Sequence, residues 1–333
     1  MDEKVLLTAL GPLAPLYQDN EVMEITVDAY DQVSTEHEGK VTDTEVKFES
    51  PEAFRAMIDA VLALDGITLD AEHTTADIRL PGRDRFIVTV PPTAVKGPHL
   101  VIRKFARSTL ISWEFLLKIG AVTQELLDFF KDVLQNEINM LVGGGTSSGK
   151  TTFTNRLTEL IPDDKRLVVT EYNHEMDIRH PRTIYLEARR VPGMTVTDLL
   201  DTARNMLPHW LIINDLHGSE ALFAMQLFSS GYTGIGTMHA NDPQDALARL
   251  EVMCLTANSG MGLNEIRTII STALQLVVVV NRVKMADGKR RRFVTHVAEL
   301  QGLENNRYIL QPLYRFNPET EVIESTGVKP SWA

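Results

Sequence analysis

The stretch Gly144-Gly145-Thr146-Ser147-Ser148-Gly149-Lys150-Thr151 decides the fold of this chain. It follows the apolar run 138–142, and the pattern of a helix begins directly after it. A strand, a glycine-rich loop and a helix in this order bring backbone N–H groups together around phosphate oxygens. The eight residues match the spacing G-x-x-x-x-G-K-[ST], so the sequence predicts a nucleotide-binding P-loop.

The residue types in this loop suit a nucleoside triphosphate. Glycine lets the backbone approach phosphate oxygens without a Cβ clash. We expect Lys150 to reach the β- and γ-phosphates of ATP and the hydroxyl of Thr151 to ligate Mg²⁺. The alternative is a glycine-rich turn that binds no ligand. The predicted ATP site consists of Gly144, Gly145, Thr146, Ser147, Ser148, Gly149, Lys150, Thr151 and Thr152.

Further strands are expected to deliver polar side chains to the same edge of the sheet. Asp215 closes the apolar run 210–214 and is predicted as a catalytic acid and as the second Mg²⁺ ligand. Glu171 closes another apolar run and is a second catalytic candidate, with Glu175 as a weaker one. His239 follows a third run and is a candidate for a hydrogen bond to the γ-phosphate. The alternatives are a strand that happens to end in Asp and a structural histidine.

Strand and helix patterns alternate after the loop, whereas the part before residue 105 mixes short strands with a helix at 51–64. Alternation implies a mostly parallel sheet with helices on both faces. The predicted fold class is therefore α/β, with an N-terminal α+β domain followed by a P-loop NTPase domain. The predicted bounds are 1–107 and 108–333, with a connecting helical segment at 112–136.

Charge and composition narrow the function classes. The 333 residues carry a formal net charge of −12, which argues against nucleic acid as the main partner. Cys254 is the one cysteine, so no intrachain disulfide can form, and this fits a reducing compartment. The sequence has no signal-peptide pattern and no membrane-length apolar run, so we expect a cytoplasmic protein. The basic run Lys289-Arg290-Arg291-Arg292 is interpreted as a solvated hairpin flank, with a membrane or partner contact as the alternative.

Several motifs together resemble the secretion ATPase superfamily, which comprises type II and type IV secretion and type IV pilus motors. The pattern looks most like the Tad/Flp-pilus branch of CpaF-type ATPases, and it is also similar to the VirB-type ATPases. The resemblance covers about residues 20–300. The segments that carry it are Pro91-Pro92 with 101–105 (the passage between domains), 143–152 (Walker A), 168–176 (Asp box), 211–220 (Walker B), 236–241 (His box) and 245–251.

The resemblance implies a ring hexamer of subunits, each with a PAS-like N-terminal domain and a RecA-like ATPase domain that bind ATP between them. It implies a role for His239 at the γ-phosphate. Arg79, Arg85 and Arg103 stand where the family has arginines that reach the phosphates, and we take Arg85 and Arg103 as catalytic candidates. The implied partner is an inner-membrane platform protein, which would hold the ring at the cytoplasmic face of that membrane.

Several motif positions depart from the family, and three of these departures concern hydrolysis. Glu171-Tyr172 replaces the usual Glu-Asp, Asn214-Asp215 replaces Gly-Glu, and His217 replaces an arginine. Nucleotide binding is therefore expected, whereas fast hydrolysis is not. Two functions stay open: a hexameric ATPase that powers pilus assembly or secretion, and a nucleotide-binding pseudo-ATPase that pairs with an active paralogue in a mixed ring. A RecA-type nucleic-acid translocase is disfavoured by the acidic charge.

Overall fold

A computed structural model describes residues 2–37, 40–105, 111–189, 191, 193–288 and 290–332. The chain divides into two compact units, Met1–Arg107 and Ser108–Ala333. The predicted domain boundary lies between residues 107 and 108, outside the described residues, and stays a prediction. In the described part of the chain, no helix combines the length and apolar character needed to cross a bilayer.

The N-terminal unit combines short helices with one six-stranded sheet. Its helices are α1 (Glu3–Leu10), α2 (Ala14–Gln18) and α3 (Pro51–Ala63). Its strands are β1 (Glu24–Ala29), β2 (Gln32–His37), β3 (Lys40–Asp43), β4 (Thr75–Arg79), β5 (Arg85–Thr89) and β6 (His99–Arg103). They lie in the order β3-β2-β1-β6-β5-β4, and every neighbouring pair is antiparallel.

One hydrophobic core holds this unit together. Alternate residues of the strands, such as Phe86 and Ile102, point to one face of the sheet and are buried. Phe54 and Ile58 on α3 belong to the same core. The helix that apolar periodicity predicted at 51–64 is confirmed as α3.

The C-terminal unit is built around a nine-stranded sheet. Its helices are α4 (Trp113–Lys118), α5 (Gln124–Gln135), α6 (Lys150–Thr158), α7 (Val196–Arg204), α8 (Glu220–Ser229), α9 (Pro243–Thr256) and α10 (Leu263–Ala273). Its strands are β7 (Met140–Gly143), β8 (Leu167–Glu171), β9 (Thr183–Glu187), β10 (Trp210–Leu216), β11 (Gly234–Met238), β12 (Leu276–Lys284), β13 (Arg290–Glu304), β14 (Arg307–Asn317) and β15 (Val322–Ser325).

The order of these strands is β15-β14-β13-β12-β7-β11-β10-β8-β9. The six strands from β12 to β9 run parallel, and β13, β14 and β15 extend the sheet in antiparallel fashion. The predicted α/β class with a mostly parallel sheet is confirmed. Because the central strands are parallel, the carboxyl ends of β7, β8, β10 and β11 share one edge of the sheet.

Helices cover both faces of the parallel part, and each face has its own core. On β10, Leu211 and Ile213 belong to one core, whereas Trp210 and Ile212 belong to the other. Burial on both faces explains why the central strands read as unbroken apolar runs rather than as alternating patterns.

The sequence analysis did not predict α1, α2, α10, β3, β6, β9 and β15. The residues of β3 are all exposed, and β3 and β9 lie at the edges of their sheets. Because β3 buries no side chain, it carries no apolar pattern to detect. The helix α2 has five residues, which is too short for helical periodicity to show.

Candidate functional site

The predicted P-loop connects the end of β7 to the start of α6. The strand ends at Gly143 and the helix begins at Lys150, as the pattern predicted. Gly149 precedes the helix with a φ of 99°, and Ser147 has a φ of 56°. Both residues lie in the left-handed region, which only glycine adopts without steric cost. The loop therefore curls tightly between strand and helix, and Ser147 holds a conformation that a glycine would take more easily.

Gly144 is the position in the loop where a side chain has no room. A Cβ atom there would lie 2.3 Å from the carbonyl oxygen of Val280 and 2.4 Å from Oγ of Ser148. The neighbouring Gly145 has open space at the same place. The first glycine of the motif is therefore required by close approach of the loop to β12, a requirement that the sequence pattern alone does not reveal.

Lys150 turns its side chain back over the loop. Its Nζ atom donates to the carbonyl oxygens of Gly144 at 2.8 Å and Gly145 at 2.9 Å. The same atom lies 3.4 Å from Nδ1 of His239. Burial lowers the pKa of Lys150, and the negative charges of Asp215 and Glu175 oppose that shift. The ammonium group thus lies at the centre of the loop with two acidic side chains nearby.

His239 lies between Lys150 and Asp215. Its Nε2 atom is 3.7 Å from Oδ1 of Asp215, which is close for an ionic contact but too long for a hydrogen bond. Burial and the charge of Lys150 lower the pKa of His239, whereas Asp215 acts in the opposite direction. In a neutral ring with its proton on Nε2, Nδ1 can accept from the lysine and the N–H lies on the side of Asp215.

Asp215 has an unusual backbone conformation at the end of β10. Its φ is 60°, and the pairing of β10 with β11 shifts register between Ile213 and Leu216. Such bulges are common beside active sites, where they redirect a side chain. The N–H of Asp215 donates to Oγ1 of Thr237 at 2.8 Å, while its side chain is half exposed toward His239. The bulge therefore presents the predicted acid to the P-loop side of the sheet edge.

Glu171 has a different setting from Asp215. It is 1% exposed, and its Oε1 atom accepts from the N–H groups of Glu175 at 3.0 Å and Met176 at 2.8 Å. The same oxygen accepts from Nδ2 of Asn214 at 3.0 Å, and Nδ1 of His174 lies 2.8 Å from Oε2. Three of these groups therefore converge on Oε1 and one lies at Oε2, which holds the buried carboxylate in place.

Arg292 reaches the P-loop from β13. Its Nε atom donates to the carbonyl oxygen of Ser147 at 3.0 Å, and its Cδ lies 3.3 Å from where a Cβ of Gly149 would be. Arg291 instead pairs with Asp287 at 2.7 Å, as expected for a hairpin flank. The basic run therefore contains one residue at the nucleotide loop, whereas Lys289 lies outside the described residues.

The residues present fit a bound nucleoside triphosphate with Mg²⁺. At Gly144 the loop backbone packs closely because it carries no side chain, and Lys150 supplies a buried positive charge. The Oγ of Ser148 is buried without a hydrogen-bond partner among the described residues. Thr146 lies in the loop before these residues, and Thr151 and Thr152 occupy the first turn of α6, where a helix dipole favours anions.

The three predicted arginines form one row in the N-terminal unit. Arg79 lies directly opposite Arg85 across β4 and β5, and Arg85 lies opposite Arg103 across β5 and β6. Directly opposed residues share a face of an antiparallel sheet, so the three guanidinium groups extend from the same face. Arg85 also donates to Asp77 at 2.5 Å, which offsets part of the repulsion between like charges.

Comparison with known proteins places the chain in a family. A model of the family described as type II/IV secretion system protein matches residues 7–308. The chain belongs to the type II/IV secretion system protein family. The conjugal transfer protein TrbB of Rhizobium radiobacter is 30% identical over 265 residues, which are 78% of this chain and 78% of TrbB. The type IV secretion system protein PtlH of Bordetella pertussis is 32% identical over 244 residues, covering 65% of this chain and 72% of PtlH.

The fold of this chain is also similar to that of a solved structure. The Legionella pneumophila ATPase DotB superposes with a TM-score of 0.57 at 17% identity, over 82% of this chain and 76% of DotB. The predicted resemblance to the secretion ATPase superfamily is confirmed by the family match and these relatives.

Three site residues were missed by the sequence analysis. The sequence analysis treated Arg292 only as part of a basic run and Thr237 only as a member of the His-box segment 236–241. It treated Asn214 only as a departure from the family. The sequence holds no signal for Arg292, because β13 comes close to the P-loop only through its pairing with β12. For Asn214 and Thr237 the signal lies in their position at strand ends beside the predicted acids.

Proposed function

We propose that this chain is an ATPase that powers assembly of a Tad or type IV-like pilus, or a protein secretion machine, by hydrolysing ATP. The observation that carries the proposal is the meeting of Lys150, His239 and Asp215 at the P-loop. They come from α6 and from the ends of two strands, and the successive contacts are 3.4 Å and 3.7 Å long. A buried cation, an imidazole and a carboxylate beside a phosphate cradle suit phosphoryl transfer to water.

Each of these residues has a defined task in the proposed reaction. Lys150 binds the β- and γ-phosphates, and Thr151 and Asp215 hold the metal ion. Mg²⁺, when bound with ATP, neutralises charge on the phosphate oxygens. His239 hydrogen-bonds at the γ-phosphate end of the site, since its ring already contacts the lysine. Arg85 and Arg103 supply further positive charge from the N-terminal unit, as the resemblance implies.

The proposed assembly is a ring hexamer that works on a membrane-embedded platform protein at the cytoplasmic face of the inner membrane. Family membership supports this, and one solved structure of the same fold is named as a pilus retraction motor with bound ADP. The ring contains one kind of subunit, or two kinds when an active paralogue is present. No nucleic acid partner is proposed, because the chain is acidic overall.

The decisive experiment is steady-state ATP hydrolysis by the purified chain beside Lys150→Ala, with nucleotide binding measured on the same samples. We expect turnover in the native chain and a loss of at least a hundredfold in Lys150→Ala. Arg291→Ala is the matched control, because it removes an exposed cation that pairs with Asp287 away from the loop. Equal turnover in the native chain and in Lys150→Ala would refute the proposal.

A pseudo-ATPase is the second candidate, favoured by the buried position of Glu171 and by the short side chain of Asp215. Glu171 is 1% exposed and already has four hydrogen-bonding groups around its carboxylate, so its surroundings do not favour an attacking water. In this alternative the chain binds ATP tightly without Lys150-dependent turnover. If Asp215→Glu then raises turnover at least tenfold, the native site is tuned for binding rather than for chemistry.

A further inference from the structure

A chain of buried side-chain hydrogen bonds connects the ends of β8, β10 and β11. Nδ2 of Asn214 donates to Oε1 of Glu171 at 3.0 Å, and Oδ1 of Asn214 accepts from Oγ1 of Thr237 at 3.0 Å. Oγ1 of Thr237 in turn accepts from the N–H of Asp215 at 2.8 Å. Asn214, Thr237 and Glu171 are each at most 5% exposed. Four residues from three strands are thereby joined without help from solvent.

The direction of every hydrogen bond in this chain is fixed. The backbone N–H of Asp215 can only donate, so the Thr237 hydroxyl accepts there and its own proton goes to Asn214. Glu171 already accepts from the N–H groups of Glu175 and Met176, so the amide of Asn214 must turn its NH₂ group toward that carboxylate. The opposite orientation would place two acceptor oxygens against each other.

The register of the strands explains why Asn214 can make both contacts. Asn214 lies directly beside Glu171 in the pairing of β10 with β8, and the pairing of β10 with β11 is interrupted at the same point. The interruption leaves the N–H of Asp215 without a ladder partner, because φ at Asp215 is 60°. Thr237 provides the acceptor that the ladder no longer supplies.

We propose that Asn214 is a positioning residue which, through Thr237, holds the Asp215 peptide in the conformation that faces Lys150 and His239, with Glu171 as the buried anchor. This inference rests on the proposed function, because it assigns the support of its catalytic acid. Glycine at position 214 would have no side chain to make this connection. Asn214-Asp215 thus combines a shorter acid with a side chain that fixes the backbone of that acid.

The test is a double-mutant cycle on the full chain with Asn214→Ala and Thr237→Val. We expect each single variant to lower kcat for ATP about tenfold while KM changes less than about twofold, because the acid is displaced and the P-loop is intact. The double variant is expected to lose little more than either single variant, since both changes break one unit. Thr237→Ser restores the hydroxyl and is expected to recover most of the activity.

A second readout needs neither ATP nor turnover. Hydrogen exchange at the Asp215 amide of the nucleotide-free protein is expected to speed up at least tenfold in both single variants, and no further in the double variant. Thr170→Val is the matched control, because it removes a buried hydroxyl of β8 that has no partner among the described residues. Exchange at Asp215 is expected to stay unchanged in that control.

Three results would overturn the inference. A rise of kcat in Asn214→Ala would mean that Asn214 restrains Glu171 rather than supporting Asp215. Independent, multiplying effects of the two substitutions would mean that they do not act as one unit. Unchanged exchange at Asp215 would refute the coupling, whether or not the native chain hydrolyses ATP. A lack of Lys150-dependent turnover would refute the proposed function but not the coupling. If Asn214→Ala does not fold, the comparison of Thr237→Val with Thr237→Ser tests the inference instead. Equal kcat and equal exchange at Asp215 in these two variants would overturn it.

Discussion

The Nε atom of Arg292 donates a hydrogen bond of 3.0 Å to the carbonyl oxygen of Ser147, although the two residues are 145 positions apart. Ser147 is the one non-glycine residue of the P-loop in the left-handed region. The contact therefore supports the loop where its backbone is least favourable. It also links the nucleotide site to the hairpin of β12 and β13.

Loss of this contact is expected to weaken nucleotide binding. Arg292→Ala should raise the Kd for ATP about fivefold, because a charge-assisted hydrogen bond in a partly exposed place contributes about 1 kcal/mol. Titration with a fluorescent ATP analogue measures the change. Arg291→Ala removes the same charge one residue earlier, where the side chain pairs with Asp287, and should leave the Kd unchanged. Equal effects of the two variants would point to general charge rather than to this contact.

The two glycines that open the P-loop motif are expected to differ in their tolerance of a side chain. In Gly144→Ala the new Cβ would meet the carbonyl oxygen of Val280 at 2.3 Å, so backbone atoms must move. We expect a destabilisation of ~1–3 kcal/mol, seen as a lower midpoint of thermal unfolding without nucleotide. Gly145→Ala is the matched control, since its Cβ has open space, and its midpoint should stay within about 1 °C. A similar loss in both variants would contradict the close approach of Val280.

Acid pH is expected to destabilise the nucleotide-free protein through two histidines. Burial is the main cause that lowers the pKa of both His239 and His296. A lowered pKa means that protonation is harder in the folded state, so stability is intact above about pH 6.5 and falls as the pH drops toward the folded pKa values. His239→Gln should flatten part of that decline in denaturation curves taken from pH 7.5 to 5.5, and His296→Gln should flatten another part. An unchanged slope in His239→Gln would contradict its lowered pKa.

Glu171 is expected to matter for stability as well as for activity. Glu171→Ala leaves the donors of Asn214, Glu175 and Met176 buried without their acceptor, which should cost about 3 kcal/mol or more in the free energy of unfolding. Urea denaturation of the nucleotide-free protein measures it. Tyr172→Ala, at a neighbouring position that is 47% exposed, should change stability by less than about 1 kcal/mol. A stable Glu171→Ala protein would show that Glu171 does not anchor the three strand ends.

Much of the fold was predictable because its signals are local. One short segment contains the strand run 138–142, the glycine pattern and the start of α6 at Lys150. These three features form a single local motif, so each can be recognised from its neighbours in sequence. Buried strands such as β8 and β10 read as apolar runs because both faces of the sheet are covered. The edge strand β3 escaped detection because all of its residues are exposed, which leaves no apolar pattern.

The sequence alone determined the chemistry present: a phosphate loop with its lysine, two carboxylates and a histidine at strand ends, and the family to which they belong. Only the tertiary structure decided how those groups divide their tasks. It buries Glu171 among four hydrogen-bonding groups and turns Asp215 outward at a φ of 60°. It also brings Arg292 to Ser147. The physical reason is that a motif records neighbours along the chain, whereas burial, register and hydrogen-bond partners depend on strands that meet only when the sheet is assembled.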